Sequence, residues 1–384
     1  MYVHVYSSID EIDPRAWDEI LGRDATICSH AYLKAVEDSA INDCVFRYPV
    51  VYDDAKRVLA HTSMFSISMD MALFAQGAVR ALVGAVRRVF PRFLTLRMLE
   101  CGTPVALGRQ ITLRDDADAE QVLAQLVAAA ETIAEEAGLN YLLFRDYRDE
   151  ERGRFDALTA HGYSVLPNLP DAVLEIHWRS FDAYLADMRS SYRRKVKLNL
   201  SRVAGRQIRS ELLEDFRHLA DTFVTQWLYV YDHATEYKRE VLTPAFYRNI
   251  NTQLPGSRAL VFYQQDRLIG HCLLLFEDDV LRWMYVGKDG EEAEDLYPFM
   301  LYEIVRHAIE AGVRWLKLGI TTYVAKTDLG AEMVPLYMYM KHRTRLFPKL
   351  SPWLFRRMTP LPPQIAKSVF RRETGRLRPA TAAP

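Results

Sequence analysis

The chain has 384 residues, of which 49 are Lys or Arg and 50 are Asp or Glu, and 49% of its residues are hydrophobic. The length predicts two domains or one large one, and the composition excludes a chain that is disordered throughout. The formal net charge of -1 argues against a dedicated nucleic-acid-binding protein, provided that the charge is spread evenly.

The charge is in fact unevenly spread. Residues 341–384 contain eleven Lys or Arg and one acid, whereas residues 1–340 carry eleven more acids than basic residues. The cysteines, at positions 28, 44, 101 and 272, lack metal-ligand spacing, so we expect no metal site and a reducing compartment. The N-terminus shows no signal peptide, and no apolar run is long enough to span a membrane. We therefore expect a cytoplasmic protein.

Two stretches of the sequence predict similar β-hairpins. In the first, Tyr48–Tyr52 is followed by a polar turn and by Arg57–His61. In the second, Ala259–Tyr263 is followed in the same way by Arg267–His271. Runs of β-branched and aromatic residues on both sides of a short polar turn are typical of hairpins.

Each predicted hairpin is followed by a helix, a glycine stop and a buried strand. The segments Glu136–Phe144 and Glu310–Leu318 both begin with Glu-Ala-Gly at the end of a helical apolar pattern and continue as an apolar run. Glycine commonly ends helices in this way. The repeat predicts two related α/β domains, over residues 1–170 and 171–345.

The first copy contains an insertion. His61 and His271 are 210 residues apart, whereas Gly138 and Gly312 are 174 apart, so the first copy holds 36 extra residues between hairpin and helix. These coincide with residues 69–107, where the segment Met71–Met98 contains five arginines and no acid. An apolar helix with an arginine-only polar stripe predicts a helix in a membrane interface. The alternative is a core helix whose arginines are solvated.

The basic tail, residues 346–384, supports the membrane interpretation. Its first part, residues 346–358, interleaves three aromatic residues with three basic ones. Such a mixture suits the headgroup layer, where an anionic surface attracts each basic residue by roughly 1 kcal/mol. We therefore expect an anionic membrane surface as a partner through residues 71–98 and 346–358. The protein would then lie peripherally on the inner face of a bacterial inner membrane.

A basic run predicts a site for an anionic ligand. From Arg189 to Arg209 there are eight Lys or Arg and no acid, and Arg193, Arg194 and Lys195 are consecutive. Such a cluster binds phosphorylated or otherwise anionic groups. The alternative is the solvated basic face of a linker helix.

Further candidates lie in the second copy. A buried strand ends at Gly319 and is followed by a polar loop with Tyr323 and Lys326, and ligands of α/β sheets lie at such strand ends. His271, on a strand, points either into a cleft as a catalytic group or into the core as a structural one. Trp283 and Tyr285, on the next strand, are open to the same two interpretations.

These features resemble a known family. The two-copy arrangement and the Ser-Ser-Tyr-Arg-Arg run at 190–194 resemble acyltransferases with tandem GNAT folds, including the Fem-type aminoacyl transferases and their stand-alone bacterial N-acyltransferase relatives. The closing pattern adds to the likeness: Pro298, Ala308-x-x-Ala-Gly312, Leu318-Gly319, Tyr323-x-x-Lys326 and Gly330. The resemblance implies that each domain is GNAT-like, with a mixed central sheet flanked by helices.

The resemblance also implies a reaction. Together with the predicted membrane elements, it is closest to the bacterial ceramide synthases. These would join a fatty acyl group from acyl-CoA, as co-substrate, to the amine of a long-chain sphingoid-type base. One departure concerns CoA: the stretch Val286–Pro298 is acidic and poor in glycine, unlike the loop that holds the CoA pyrophosphate in GNAT enzymes. The basic run at 189–202 is expected to compensate.

Roles follow for the candidate residues. The amine must lose a proton before it attacks, and we expect His271 to be the base and Tyr323 the proton donor to the leaving group. Lys326, Arg193, Arg194 and Lys195 are expected to bind phosphates or the substrate headgroup. Trp283 and Tyr285 would line the site, where backbone N–H groups stabilise the oxyanion.

Two other functions remain open on the sequence. In one, the protein is a Fem-like transferase that uses aminoacyl-tRNA on a peptidoglycan precursor, and the basic helix binds RNA. In the other, the fold is a non-catalytic lipid-binding module, as the absence of the glycine-rich loop indicates. The acyl-CoA interpretation, by contrast, expects no nucleic-acid partner.

Overall fold

The structure, a computed structural model, describes residues 1–22, 25–70, 77–91, 93, 95–108, 111–234, 238–290, 295–344 and 361–371, with the backbone alone at 70 and 77–81. The predicted tail segment 346–358 and parts of the predicted segment 71–98 lie outside these residues. The chain divides into two compact units. Unit 1 comprises Met1–Asn168, Lys238–Val241 and Leu336–Pro362, and unit 2 comprises Leu169–Tyr237, Leu242–Pro335 and Pro363–Pro384.

Unit 1 contains a mixed sheet and six helices in its described part. The strands are β1 (Tyr2–Tyr6), β2 (Val45–Tyr52), β3 (Val58–Thr62), β4 (Met64–Asp70), β5 (Thr95–Cys101), β6 (Ile111–Leu113), β7 (Tyr141–Tyr147) and the end of β14 (Glu332–His342). The helices are α1 (Pro14–Asp18), α2 (His30–Glu37), α3 (Gly77–Arg87), α4 (Ala119–Glu136), α5 (Asp149–Phe155) and α6 (Ala157–Ala160). The strand order is β6-β3-β2-β4-β5-β7-β14, β1 also pairs with β2, and only β5 and β7 are parallel within this described sheet.

Unit 2 repeats this plan. Its strands are the end of β8 (Ser164–Glu175), β9 (Ile208–Leu213), β10 (Ser257–Gln264), β11 (Arg267–Phe276), β12 (Val280–Lys288) and β13 (Trp315–Gly319). Its helices are α7 (Phe181–Asp187), α8 (Ser190–Gly205), α9 (Ala220–His233), α10 (Pro244–Gln253), α11 (Leu296–Glu310) and α12 (Tyr323–Asp328). The order is β8-β13-β12-β11-β10-β9, with β12 and β13 parallel.

The predicted fold class is confirmed, since each unit is a mixed sheet flanked by helices. The two predicted hairpins are also confirmed, as β2 with β3 and β10 with β11. The predicted glycine stops follow α4 and α11, where Gly138 and Gly312 have φ values of +66° and +68°. A residue with a side chain is strained at such φ, so glycine ends these helices at low cost.

The predicted insertion, residues 69–107, is only partly an insertion, because some of it belongs to the sheet of unit 1. It contains the end of β4, α3 and the whole of β5. β5 pairs with both β4 and β7, so it belongs to the sheet. The part that lies outside the sheet is therefore α3 and the residues that join it to the strands. None of the helices in the described ranges has both the length and the apolar character needed to cross a bilayer.

The sheet of unit 2 presents two different faces to its helices. Alternate residues, such as Ala172 and Leu174 of β8 or Leu316 and Leu318 of β13, pack in one apolar cluster with α7, α8 and α11. The opposite face carries α9 and α10, because the Phe223 and Tyr247 rings contact His271 of β11. The period of two in a strand thus assigns every strand residue to one helix layer or the other.

Candidate active site

The two parallel strands of unit 2 separate after a short pairing. β12 and β13 pair only from Val280 to Arg282, opposite Trp315 to Lys317. β12 nevertheless continues to Lys288, and β13 to Gly319. In the described sheet, one edge of β12 therefore has no strand partner after Arg282. An opening at the carboxyl ends of parallel strands is where α/β sheets bind their ligands.

A β-bulge distorts β12 at this opening. In its pairing with β11, Leu273 lies opposite Tyr285 and Leu274 lies opposite Trp283, so Met284 is left without an opposite residue. The Trp283 indole N–H donates to the Tyr285 carbonyl oxygen across 3.0 Å and closes the bulge. Bulges redirect side chains and are frequent beside active sites. Here Trp283 faces the α11 layer, whereas Tyr285 faces α10.

Lys326 places a buried positive charge at the same opening. This residue of α12 is only 2% exposed. Its Nζ donates to the carbonyl oxygens of Gly319 and Ile320, at 3.2 and 2.6 Å, and lies 5.4 Å from the centroid of the Trp283 ring. The structure thus brings together two predicted site residues, Trp283 and Lys326. A fixed, desolvated ammonium group can stabilise negative charge that develops on a reacting carbonyl.

The loop that carries Lys326 has an unusual backbone. Between β13 and α12, Gly319, Thr321 and Thr322 have φ values of +72°, +64° and +46°. For the two threonines this left-handed conformation is strained, because their side chains are β-branched. The Thr322 hydroxyl is held 2.7 Å from the Tyr297 hydroxyl in the first turn of α11. Strained loops of this kind concentrate at functional sites.

Tyr323 lies beside this loop with its hydroxyl engaged. The residue is 6% exposed, and its O–H donates to the Pro170 carbonyl oxygen at 2.9 Å. The hydrogen bond ties α12 to β8 within unit 2. For Tyr323 to give a proton to a leaving group, this bond would first have to open.

The predicted basic residues lie in the first turns of α8. Lys195 Nζ is 3.4 Å from Asp328 Oδ2 in α12, Arg193 is half-buried and donates to the Ala186 carbonyl oxygen at 3.4 Å, and Arg194 is exposed. The side chain of Lys195 is 65% exposed, so its ion pair is worth at most a small fraction of the stability. The structure therefore connects Lys195 to the helix of Lys326, while Arg194 faces solvent.

His271 lies in the core of unit 2 and has no exposed surface. Its Nδ1 is 2.9 Å from Gln226 Oε1, and its Nε2 is 3.0 Å from the Tyr247 hydroxyl. Because Gln226 uses its Nε2–H to reach the Leu268 carbonyl oxygen, Gln226 Oε1 accepts from His271 Nδ1–H. His271 Nε2 then accepts from the Tyr247 O–H. Burial lowers the pKa of His271 to about 3, so the ring is neutral.

The equivalent histidine of unit 1 is also buried. His61 stacks on Trp17, with ring centroids 3.7 Å apart, and its Nε2–H donates to the Trp17 carbonyl oxygen at 2.9 Å. Burial lowers its pKa to about 3 as well, although the hydrogen bond to Trp17 opposes this. Both repeats thus use a strand histidine to hold a neighbouring helix. The assignment of His271 as the general base stays a prediction, and its environment favours the structural alternative.

Unit 1 shows no comparable opening within its described strands. β5 and β7 pair from Met98 to Cys101, opposite Tyr141 to Phe144, which is the end of β5. Beside this strand end lies a buried ion cluster, in which Glu100 is 2.9 Å from Arg145 and 3.2 Å from Arg239. Paired charges occupy the position that is open in unit 2. The candidate site is therefore formed by unit 2.

Three further residues of this region are not predicted by the sequence patterns. Tyr297 and Thr322 meet only because α11 and the loop after β13 converge, which no local pattern indicates. Asp171 is 6% exposed in β8. Its one visible signal is an acid directly before the apolar run Ala172–Leu174.

Known proteins share the overall fold of this chain. The structure of FemX superposes with a TM-score of 0.55 at 12% identity, covering 92% of this chain and 100% of FemX. The C-terminal domain (DUF2156) of a "Putative Lysylphosphatidylglycerol Synthetase" from Agrobacterium fabrum gives 0.54 at 13%, covering 90% and 95% of the two chains. At such identities these structures are similar in fold. The fold places the chain in the class of proteins built from GNAT-like mixed α/β domains.

The sequence comparison identifies the family. The FemAB-like family, described as peptidoglycan biosynthesis/recognition, matches residues 8–322, and the chain belongs to it. A "Putative 8-amino-7-oxononanoate synthase 2" of Mycobacterium tuberculosis, from strains CDC 1551 and H37Rv, is 28% identical over 322 residues. The match covers 82% of this chain but 42% of that protein, so the chain spans less than half the length of its curated relatives.

Proposed function

We propose that this FemAB-like protein transfers an aminoacyl group from aminoacyl-tRNA to a primary amine of a peptidoglycan precursor. The observation that carries the proposal is the buried ammonium of Lys326 at the opening between β12 and β13. The family description, which names peptidoglycan biosynthesis, supports the acceptor. The acidic residue at the N-terminus of α11 supports the donor.

An acidic residue lies at the N-terminus of α11 and makes no side-chain hydrogen bond to its first turn. Asp295 is its N-cap residue, and its carboxylate lies 3.4 Å from Arg202 and 3.8 Å from Arg206. A helix N-terminus binds a pyrophosphate through free N–H groups and its positive dipole. A carboxylate at this end disfavours a CoA pyrophosphate there by repulsion. The basic face of α8, with the exposed Arg194, then serves as a surface for tRNA phosphates.

The chemistry assigns a separate task to each group. The acceptor nitrogen, after losing one proton to solvent, attacks the donor carbonyl carbon and forms the new C–N bond. The oxyanion is stabilised by Lys326 and by backbone N–H groups of β12 near the bulge at Met284. The bond to the tRNA oxygen then breaks, and this oxygen takes up the second proton that the nitrogen loses as the amide forms. Tyr323 positions α12. The Trp283 ring stabilises the Lys326 ammonium through a cation–π contact.

A second candidate retains the acyl-CoA donor and a long-chain amine as acceptor. The name of the Mycobacterium tuberculosis relative specifies a product with an amino group beside an oxo group. A transferase that is similar in sequence to this relative would acylate an amine of the same kind. In this candidate the product is a ceramide-like amide, and Arg193, Arg194 and Lys195 bind the CoA phosphates.

A transfer assay separates the two candidates. Purified protein is given radiolabelled aminoacyl-tRNA or radiolabelled palmitoyl-CoA, each with a lysine-containing precursor peptide or with sphinganine. We expect label in the peptide from aminoacyl-tRNA only. Amide formed from palmitoyl-CoA and sphinganine instead would establish the second candidate. Release of donor label without any amide product would refute both.

An anionic membrane surface is proposed as a docking partner for the α3 segment in either case. Leu82, Val89, Phe90 and Phe93 are 63%, 72%, 65% and 40% exposed. Exposed apolar side chains at such density mark interaction surfaces. No acid lies between residues 71 and 98, so the same segment attracts an anionic bilayer.

A further inference from the structure

Asp171 is a buried acid with an unpaired oxygen. The residue is 6% exposed, and its Oδ1 atom is enclosed and without a hydrogen-bond partner in the described part of the chain. A carboxylate that leaves water loses strong solvation, which partners must replace. For the enclosed Asp171 oxygen this solvation is not replaced by any partner among the described residues.

Each of the other buried acids of the described residues has an ion-pair partner or a side-chain hydrogen bond. Glu100 lies 2.9 and 3.2 Å from two arginines. Asp146 accepts from an asparagine amide at 2.8 Å, and Glu303 lies 3.0 Å from an arginine. Each of these three acids is held by the protein itself. Asp171 differs from them, since no ion pair or side-chain hydrogen bond holds it among these residues.

Asp171 lies next to the candidate site. Its neighbour Ala172 pairs with Gly319, and the Gly319 carbonyl oxygen accepts the hydrogen bond from Lys326. Paired Cα atoms in antiparallel strands are about 4.5–5.5 Å apart, so Asp171 is one residue from the open end of β13.

The side chain of Asp171 points away from the α11 layer. Ala172 and Leu174 belong to the apolar cluster with α7, α8 and α11. Successive side chains alternate, so Asp171 faces the opposite layer, which is the face that carries Tyr285. A ligand group that enters the opening on this face lies on the same side of the sheet as the Asp171 carboxylate.

We propose that Asp171 forms the binding subsite for the acceptor amine. The inference rests on the proposed transferase function and extends it to the substrate class: a primary amine that arrives as an ammonium cation. The ammonium donates to the carboxylate and neutralises it, and the site thereby discriminates against neutral acceptors such as alcohols. The carboxylate is a binding group here and the proton needed for attack leaves to solvent.

The test uses Asp171→Asn with Asp266→Asn as the matched control. Asp266 is an exposed acid in the turn between β10 and β11. We expect Asp171→Asn to raise the KM for the amine at least tenfold and to change the KM for the donor less than twofold. The urea midpoint of Asp171→Asn should be unchanged or higher, because an unpaired buried charge is removed. Asp266→Asn should leave all three values unchanged.

A lower urea midpoint, or an unchanged KM for the amine, would overturn the inference. Two acceptors are compared, a lysine-containing peptide and dodecylamine, to distinguish a soluble source of the ammonium from a lipidic one. A raised KM of Asp171→Asn for either acceptor supports the subsite. The acceptor that shows this rise identifies the source of the ammonium.

A binding measurement separates this inference from the proposed function. Dodecylammonium should raise the melting temperature of the wild-type protein, dodecanol should not, and Asp171→Asn should abolish the difference. If this holds while no donor yields an amide, the transferase proposal fails and the amine subsite stands. If amide forms but the two ligands shift both proteins equally, the subsite fails and the transferase stands.

Discussion

Replacement of His271 separates a structural role from a catalytic one. His271→Ala removes the partner of the Tyr247 hydroxyl and of Gln226 Oε1. Each buried polar group left unsatisfied costs about 1–3 kcal/mol. The ring also stacks on Phe223, with centroids 4.0 Å apart, so its removal leaves a cavity that costs about 2 kcal/mol or more. We expect a loss of at least about 4 kcal/mol in the free energy of unfolding.

Urea unfolding followed by circular dichroism measures this loss, and kcat is measured on the folded fraction of the same samples. Tyr247→Phe is the milder companion, since it leaves only His271 Nε2 without a donor and should cost about 1–3 kcal/mol. Both variants should keep kcat per folded molecule within about fivefold of wild type, roughly 1 kcal/mol in activation free energy. A stability loss below about 1 kcal/mol in His271→Ala, with kcat reduced a hundredfold, would refute the structural role.

Three further tests address the charge and surface features of the structure. Because the folded-state pKa values of His61 and His271 are lowered to about 3, the unfolded chain binds more protons below pH 6.5. Stability should therefore fall as the pH drops from 7 to 5, by about 2 kcal/mol per histidine, as urea midpoints at the two pH values will show. Lys326→Met should lower kcat at least about a hundredfold with little change in the KM for the acceptor. Lys326→Arg should recover part of the lost kcat. Equal kcat in wild type and Lys326→Met would exclude the oxyanion role. Phe90→Glu should reduce co-flotation with phosphatidylglycerol vesicles, because it places a negative charge on the proposed membrane surface. Val45→Glu, at another exposed apolar residue, should not reduce it. Equal flotation of the wild-type protein and both variants would contradict docking through α3.

Local patterns predicted the repeated elements correctly. The two hairpins and the two helix stops depend on short segments, such as the Glu-Ala-Gly sequences that end at Gly138 and Gly312. Hairpin pairing and helix termination are decided by neighbours along the chain, so one sequence suffices. The membership of β5 in the sheet was missed for the opposite reason. β5 pairs with β4 and β7, which are distant from it in the sequence. The arginine-rich residues before β5 gave no indication that a strand follows.

The candidate site was predicted only in part. Lys326 and Trp283 were selected from a strand end and an aromatic pair, and the structure places them 5.4 Å apart, from Nζ to ring centroid. The absent pairing between β12 and β13 beyond Arg282 cannot be read from residues, because it depends on where β13 ends in space. Asp171 was missed because an acid in a strand is ambiguous until its partners are known.

The ion cluster of unit 1 has a consequence for how the two repeats evolve. Glu100, Arg145 and Arg239 compensate one another in the place that unit 2 keeps open. A change at Glu100 should therefore reduce the amount of folded protein in the cell and leave the turnover of each surviving molecule intact. Changes around Lys326 should lower the turnover of each molecule and leave the amount of folded protein unchanged. Natural selection is thus expected to act on unit 1 through the abundance of folded protein and on unit 2 through its chemistry.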